Sequence, residues 1–150
     1  MGGADLMTYG GKSVKNKELV STMLEGMDND DADLVKSVLA AEVRWWGPPS
    51  AVALGMPSPI AGSDAVAGMI AAPYDFFQPK SRVWTVHHLV ADDDLVAVHA
   101  NLKATTAAGH PYTNEYHLLV KVAGGVITDV WEHVDTAQFN NTMSGGAASE

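Results

Sequence analysis

The spacing of apolar residues divides the chain into a helical part and a strand part. Before Pro73, apolar positions recur at helical spacing, as in Val20, Met23, Leu24 and Met27. This spacing predicts three helices, at about 13–27, 31–41 and 62–70. After Pro73 the period changes to two, which predicts four long strands at 81–91, 95–106, 112–123 and 126–134. A shorter strand is predicted at 42–47, before a proline-rich loop.

Polar residues mark the expected ends of several of these elements. Acidic residues around Asp31 crowd the start of the second helix, where the helix dipole favours negative charge. Ser63 is the expected N-cap of the third helix. Asp135, with Gln138 three residues later, resembles a capping box that opens a brief last helix. Gly124 and Gly125 separate the last two strands and are typical of a hairpin turn.

A chain of 150 residues fits one domain. We expect a flexible, glycine-rich arm at 1–12, a single domain at 13–143 and a disordered tail at 144–150. Helices followed by consecutive long strands are typical of the α+β class. Antiparallel strands cannot bury both faces by themselves, so a curved antiparallel sheet should wrap around the three N-terminal helices.

Charge and composition exclude several classes of function. The formal net charge is −9, and the few basic residues are scattered, which argues against a nucleic-acid partner. The absence of cysteine fits a cytoplasmic protein. The longest uncharged run, at 45–63, contains four prolines and cannot form a spanning helix. We therefore expect a soluble protein with no membrane partner.

Glu132 is the strongest candidate for chemistry. It shares one strand face with Val126, Thr128, Val130 and Val134, a row that is apolar apart from this acid. If that face lines a cavity, desolvation should raise the pKa of the carboxyl group and suit it to proton transfer near neutrality. The alternative is a carboxylate near the strand end that reaches solvent or pairs with a histidine.

The preceding strand offers two polar residues on an apolar face. Asn114 and Tyr116 lie at one end of a row that continues through Leu118 and Val120. An amide and a phenol there could orient a substrate carbonyl or a water molecule. Each could equally be a structural residue of the core or sheet edge.

The element order, together with Gly62-Ser-Asp-Ala-Val66 and Trp131-Glu-His-Val-Asp-Thr-Ala137, resembles the nuclear transport factor two-like superfamily. That superfamily includes ketosteroid isomerases, limonene epoxide hydrolases and SnoaL-like polyketide cyclases. The resemblance covers roughly residues 13–140. It implies a cone-shaped α+β fold with a deep, mostly apolar cavity, and acid–base chemistry without a cofactor.

The resemblance also suggests site residues on other strands. In limonene epoxide hydrolases an Arg and an Asp on one strand activate water, and His99 and Asn101 align with that pair. Trp45 aligns with an aromatic residue, and Gly47 stands where that family has a water-holding Asn. Because these groups differ, epoxide hydrolysis is not expected. His99 would instead pair with Glu132 as a proton shuttle. Alternation turns His99 and Asn101 outward, so they would face the cavity only if the strand contains a bulge, and otherwise they lie on a face that a dimer could bury.

The other histidines and the aromatic residues complete the candidates. His87 and His88 lie in the middle of a predicted strand, so one of them must face inward in either register and the other should face outward. No pair of histidines has helical metal-ligand spacing, so no metal is predicted. Phe76 and Phe77 follow the third helix, where this fold opens its cavity, and they are expected to form walls for a hydrophobic ligand.

The outward row of the last strand, by simple alternation, is Ile127, Asp129, Trp131 and His133. This row is too apolar to be wholly solvated. We therefore expect a homodimer through the outer face of the sheet.

Two classes of function compete. The first is a cofactor-independent isomerase, cyclase or lyase that acts on an apolar, carbonyl-containing small molecule. Glu132 would move the proton, and His99 or Tyr116 would stabilise the oxyanion. Ketosteroid isomerases use a Tyr on the first helix, and 13–28 contains none, so steroid isomerisation is not expected. The second class is a non-catalytic ligand-binding or protein-interaction module on the same fold.

Overall fold

The computed structural model describes the backbone of residues 2–145 and the side chains from residue 10 onward. This part of the chain forms five helices and six strands. In chain order they are α1 (Gly2–Asp28), α2 (Ala32–Lys36), β1 (Leu39–Trp46), α3 (Pro49–Ala53), β2 (Ile60–Ala61), α4 (Ser63–Ala71), β3 (Val83–Asp92), β4 (Leu95–Thr105), β5 (Pro111–Ala123), β6 (Val126–Val134) and α5 (Thr136–Met143).

All the strands belong to one sheet with the order β2-β1-β6-β5-β4-β3. The pairs formed by β3, β4, β5 and β6 are antiparallel, as the two-residue period predicts. The β1–β6 pair is parallel, so the sheet is mixed at this one junction. The α+β class and the curved sheet packed on N-terminal helices are confirmed.

Helices cover the inner face of the sheet and leave the outer face open. Residues of α1, α2 and α4 pack against the inward rows of β1, β4, β5 and β6 to form the main core. Burial alternates strictly along β5, where Tyr112, Asn114, Tyr116 and the following even positions are buried and the odd positions are exposed. No helix in the described part of the chain is long and apolar enough to cross a membrane.

The N-terminal part differs from the prediction in two ways. The α1 helix begins at Gly2 instead of near residue 13, so the backbone of residues 2–12 is helical where a loose arm was expected. The second helix ends at Lys36, and the buried run Val38, Leu39 and Ala40 leads into the sheet beside β6. Ile127 N donates to Val38 O at 2.8 Å. Pairing with β6 buries this run and overrides its helical spacing.

The N-cap residue is the predicted one at α5 but not at α4. Asp135 accepts a hydrogen bond from Gln138 N at 3.1 Å and is the N-cap of α5. Gly62, and not Ser63, is the N-cap of α4. Its φ of 95° is a backbone conformation that glycine adopts without strain. Beyond Gly145, the predicted disordered tail lies outside the described residues.

Two β-bulges change which residues face the core. The β5–β6 register shifts between Lys121 and Val122, so Thr128 is an extra residue on β6. Ile127 therefore turns inward and is fully buried, and its predicted outward position was wrong. The β3–β4 register shifts between Val86 and His88, which makes His87 the extra residue on β3.

Candidate active site

Two small adjoining chambers lie between the inner face of the sheet and the helices. The first has a volume of about 90 Å³ and lies among core residues of α1, α4 and β3 to β6. The second has a volume of about 220 Å³ and lies between α3, α5 and the end of β6. The residues that line both chambers are Met56, Phe76, Tyr116, Glu132 and Phe139. Among the described residues, Glu132 is the only carboxylic acid in either lining.

Glu132 is held as an isolated acid in an apolar wall. It is half-buried, and its Oε2 accepts a hydrogen bond from Trp45 Nε1 at 3.2 Å. Desolvation raises the pKa of this carboxyl group from 4.5 to about 7, and the Trp45 hydrogen bond opposes the rise. Near neutral pH both protonation states are populated, so the group can accept and return a proton.

Tyr116 presents a phenol to the same chambers at the end of a hydrogen-bonded chain. Asn114 Nδ2 donates to Tyr112 Oη at 2.9 Å, and the hydroxyls of Tyr112 and Tyr116 are 2.8 Å apart. Burial, the neighbouring Tyr112 and the charge of Glu132 raise the pKa of Tyr116 well above its usual value. Tyr116 therefore keeps its proton and can act as a hydrogen-bond donor.

The far wall of the first chamber contains a buried ion pair. Arg82 donates to Ile70 O at 2.7 Å and pairs with Asp30 at 3.3 Å, and both side chains are almost fully buried. Burial lowers the pKa of Arg82, while Asp30 opposes this effect. Trp84 packs edge-on against Tyr116, and its buried Nε1 has no hydrogen-bond partner among the described residues.

Several predicted residues lie at or beside this site. Phe76 lines both chambers, Phe77 lines the first, and Trp45 is the hydrogen-bond donor to Glu132. Asn114, predicted to orient a substrate, is not among the residues that line the two chambers. Its Nδ2 donates to Tyr112 and to Asp135 O, and its Oδ1 accepts from Glu115 N, so the amide supports Tyr112 instead.

The predicted His99–Glu132 pair does not form. His99 and Asn101 lie in the odd row of β4, whereas Val98, Ala100 and Leu102 are buried. The β4–β5 register is continuous, so the bulge that would have turned these two residues inward is not there. His99 Nε2 contacts Glu115 at 3.2 Å on the outer face, and Asn101 Nδ2 donates to the same carboxylate at 3.1 Å.

Neither His87 nor His88 faces the chambers. His88 pairs in register with His99 on the outer face. His87 is the extra residue of the bulge, and its ring lies 5.1 Å from that of His99. The expectation that one of them must point inward assumed a regular strand and was wrong.

Sequence reasoning missed Arg82, Met56 and Phe139 as parts of the site. Arg82 directly precedes β3, and an arginine beside a strand gives no signal of burial unless its partner Asp30 is known. Phe139 reaches the chambers from α5, where its ring packs 5.7 Å from that of Phe76. These residues are distant in sequence and form no local motif, and only the folded chain brings them together.

Other concave regions carry less chemistry. A groove of about 690 Å³ lies between α1 and the Gly124–Gly125 turn and shares no residue with the chambers. It contains Lys12, Lys15 and Asn16 on one side and mainly turn residues on the other. Within the part of the chain that the structure describes, no group of three or more His, Asp or Glu side chains has the geometry of a metal site.

Comparison with known proteins identifies the family. The profile of the SnoaL-like domain matches residues 20–130, which is most of the chain. The chain belongs to the SnoaL-like domain family. No curated protein matches this SnoaL-like chain.

Solved structures support the same fold. An NTF2-like protein of unknown function from Burkholderia pseudomallei K96243 superposes with a TM-score of 0.75 at 20% identity, covering 87% of this chain and 98% of its own. An LEH-like epoxide hydrolase from M. tuberculosis gives 0.70 at 16% identity, covering 89% and 92%. A protein of ketosteroid isomerase-like fold from Catenulispora acidiphila DSM 44928, in complex with trimethylamine, gives 0.70 at 15%, covering 87% and 95%. At these identities the similarity establishes the fold of the SnoaL-like chain.

Proposed function

We propose that this SnoaL-like protein is a cofactor-independent acid–base enzyme for a small, uncharged, carbonyl-containing molecule. The reaction class is an isomerisation, cyclisation or lyase-type elimination that begins with removal of a proton beside the carbonyl. The observation that carries the proposal is Glu132, whose carboxyl group has no salt bridge to the described residues and has a pKa of about 7 in an apolar wall shared by two chambers. If Glu132 had only a structural role, an apolar residue at this position would avoid the free-energy cost of burying a carboxyl group.

Glu132 serves as the base and then as the acid. In its ionised form it takes the proton from carbon. The electron pair of that bond forms a carbon–carbon double bond, and the π pair of the carbonyl group moves onto its oxygen to give an enolate. Glu132 can then deliver the proton to another position of the same substrate or to a leaving group. Because its pKa is near neutrality, both half-reactions are accessible without a second titratable group.

Tyr116 is the donor that stabilises the enolate oxygen. Tyr112 Oη accepts a hydrogen bond from Asn114 Nδ2, which leaves the Tyr112 proton for Tyr116 Oη. The Tyr116 proton then remains available for a ligand in the chambers. A donor held in this way costs little reorganisation when charge develops on the oxygen. Tyr116 takes the role that His99 was expected to share.

The shape of the chambers favours a small substrate. Their volumes, about 90 and 220 Å³, each lie below the usual range for ligand sites. The walls are methionine and aromatic side chains, and the buried Arg82 is already neutralised by Asp30. A neutral, apolar molecule fits this lining better than an anion or a polycyclic compound.

Two activities of the superfamily fit this chain poorly. At the strand position expected to activate water for epoxide opening, the inward residues are Ala100 and Leu102, which cannot do so. Ketosteroid isomerases use a tyrosine on the first helix, and α1 does contain one, Tyr9, because it begins at Gly2. However, the α1 residue that lines the first chamber is Met27, roughly 27 Å further along the helix. Neither epoxide hydrolysis nor steroid isomerisation is therefore proposed.

The alternative is a non-catalytic binding module. The small volume of the first chamber favours this reading, because it is comparable with a few water molecules. A module of this kind would need Glu132 only to recognise a ligand donor. It would bind a small molecule and release it unchanged.

A ligand screen followed by turnover measurement tests the proposal. Small neutral ketones, enones and lactones are screened by thermal shift near pH 7, because a ligand that binds the native state raises the melting temperature according to its affinity. Hits are then incubated in D₂O and examined by NMR. Exchange of the proton beside the carbonyl, lost in Glu132→Gln, is the expected result. Stabilising ligands that show neither exchange nor conversion would leave the binding module as the function.

A further inference from the structure

The indole of Trp84 contains a buried hydrogen-bond donor that the proposed roles of Glu132 and Tyr116 leave unused. Trp84 is half-buried and lines the first chamber. Its Nε1 is shielded from solvent, and none of the described residues supplies an acceptor to it. An indole N–H can only donate, and a donor buried without an acceptor lowers the stability of the fold. A bound molecule with an acceptor group would remove this cost.

Contacts on several sides fix the position of this indole. The backbone N of Trp84 donates to Asp28 Oδ1 at 2.8 Å, which ties the start of β3 to the end of α1. In the β3–β4 register Trp84 pairs with the buried Leu102, so its side chain belongs to the inward row. The ring packs against both clusters of buried residues. A donor held in this way needs little reorganisation to bind an acceptor.

Trp84 and Tyr116 form one wall of the first chamber. Their ring centroids are 4.9 Å apart, in an edge-on arrangement. Arg82, the cationic residue of the same lining, already donates to Ile70 O and pairs with Asp30. A carbonyl oxygen has two lone pairs and accepts from two donors. A single substrate oxygen at this wall can therefore satisfy both the indole and the phenol.

The sizes of the chambers determine which end of a ligand meets Trp84. The lining of the first chamber, of about 90 Å³, includes Trp84, whereas the described residues that line the second, of about 220 Å³, do not. The first chamber is comparable with a few water molecules, so it admits a small polar group and little more. Glu132 lines both chambers. The remaining atoms of a substrate must extend past Glu132 into the second chamber, beside Leu54 and Val134.

We propose that Trp84 is a substrate-binding residue whose Nε1 donates, together with Tyr116, to the carbonyl oxygen of the substrate. The carbonyl group then occupies the first chamber and an apolar tail occupies the second. The substrate class is therefore a compound with one terminal carbonyl group and an apolar chain, such as a methyl ketone. This inference rests on the proposed function for the identity of the acceptor, but ligand binding is measured separately from turnover.

Nuclear magnetic resonance of the ¹⁵N-labelled full chain tests the contact, with methyl pentyl ketone as the probe. The matched probe is the alkene of the same shape, in which a methylene group replaces the carbonyl oxygen. The ketone should move the indole N–H signal of Trp84 downfield until binding saturates, and the alkene should bind without this shift. The signal is assigned by its absence in Trp84→Phe. The indole signal of Trp131, which pairs with the exposed Leu119 on the outer face, should stay in place.

Trp84→Phe removes the donor and keeps an aromatic ring. Isothermal titration calorimetry should give a Kd for the ketone that is about 10-fold weaker, because the carbonyl oxygen then keeps only Tyr116. The Kd for the alkene should change little, since the alkene reports only on packing. Trp131→Phe is the matched control and should bind both probes as the wild type does.

A ketone that leaves the Trp84 signal in place up to its solubility limit would overturn the proposal. Equal weakening of ketone and alkene binding in Trp84→Phe would also overturn it, because the indole would then serve packing or hold a water molecule. The wild-type titration needs no substitution, so the test stands even if the variant does not fold. Failure of the proposed function gives a different result: the Trp84 signal shifts, but the protons beside the ketone carbonyl do not exchange in D₂O.

Discussion

Trp45 Nε1 donates to Glu132 Oε2 at 3.2 Å from the neighbouring strand β1. This hydrogen bond stabilises the ionised carboxylate and opposes the larger effect of desolvation. The pKa of Glu132 therefore depends on two opposing effects. The apolar surroundings raise it, and the hydrogen bond from the Trp45 indole limits the rise.

Replacing Trp45 by Phe should move the pKa of Glu132 further above its present value of about 7. The variant loses the hydrogen bond to the charged form while the apolar surroundings remain. Carboxyl ¹³C NMR titration measures the shift. Trp46→Phe is the matched control, because Trp46 Nε1 donates to Asp129 at 3.3 Å and not to Glu132. An unchanged Glu132 titration in Trp45→Phe would contradict the assigned role of the indole.

Tyr116→Phe should lower kcat by about 10²–10³-fold on any substrate that the screen identifies, because one donor to the oxyanion is removed. The ring and its edge contact with Trp84 are kept, so the fold should be preserved. Tyr112→Phe is the control, since the lining residues of the two chambers include Tyr116 but not Tyr112, whose hydroxyl contacts that of Tyr116. Its loss of kcat should be clearly smaller. Equal losses in both variants would mean that the hydroxyl pair acts only in packing.

Glu132 could be located on the inward face from the sequence alone, because the other residues of its row on β6 are mostly apolar. The bulge at Thr128 lies before Glu132 and does not interrupt the alternation from Val130 onward. The sequence also indicated that alternation turns His99 outward. The superfamily alignment favoured the opposite orientation and was misleading, since the Arg and Asp that align with His99 and Asn101 are not kept in this chain. Register, unlike composition, depends on hydrogen bonds between strands and cannot be read from one strand.

The rest of the site could not be predicted for related reasons. His87 lies in a bulge that no glycine or proline announces, and α2 ends early because β6 offers Leu39 a partner. Asp30 and Arg82 are distant in sequence and meet only in the folded chain. Local periodicity gives the elements, whereas these contacts arise from tertiary packing.

Gly26→Ala should destabilise the protein by about 1–3 kcal/mol, because a methyl group at this position overpacks the junction of α1 and α2. A Cβ there would lie 2.5 Å from Val35 Cγ2 and 3.0 Å from Asp31 O. Gly68→Ala on α4 is the control, since a Cβ there meets nothing within 4 Å. It should stabilise by about 0.5–1 kcal/mol through helix propensity. Urea unfolding of both variants measures the difference, and a neutral Gly26→Ala would contradict the close helix contact.

Glu132→Gln separates a catalytic role from a structural one. The variant keeps an oxygen for Trp45 and removes the titratable charge, so activity should fall by about 10²–10⁴-fold. The stability of the folded variant, in contrast, should increase. Because the folded-state pKa of Glu132 is raised from 4.5 to about 7, the native protein loses stability as the pH rises through this interval. The loss is complete above about pH 7 and amounts to about 3 kcal/mol.

Glu132→Gln should therefore be more stable than the wild type by up to about 3 kcal/mol near pH 8, and the gain should vanish near pH 4. Urea unfolding across this range measures the difference. Glu25→Gln, on the exposed side of α1, is the control and should show no such trend. If Glu132 were instead a structural hydrogen-bond partner, the variant would be less stable at every pH while turnover per folded molecule stayed the same. That result would remove Glu132 from the chemistry and leave a binding module.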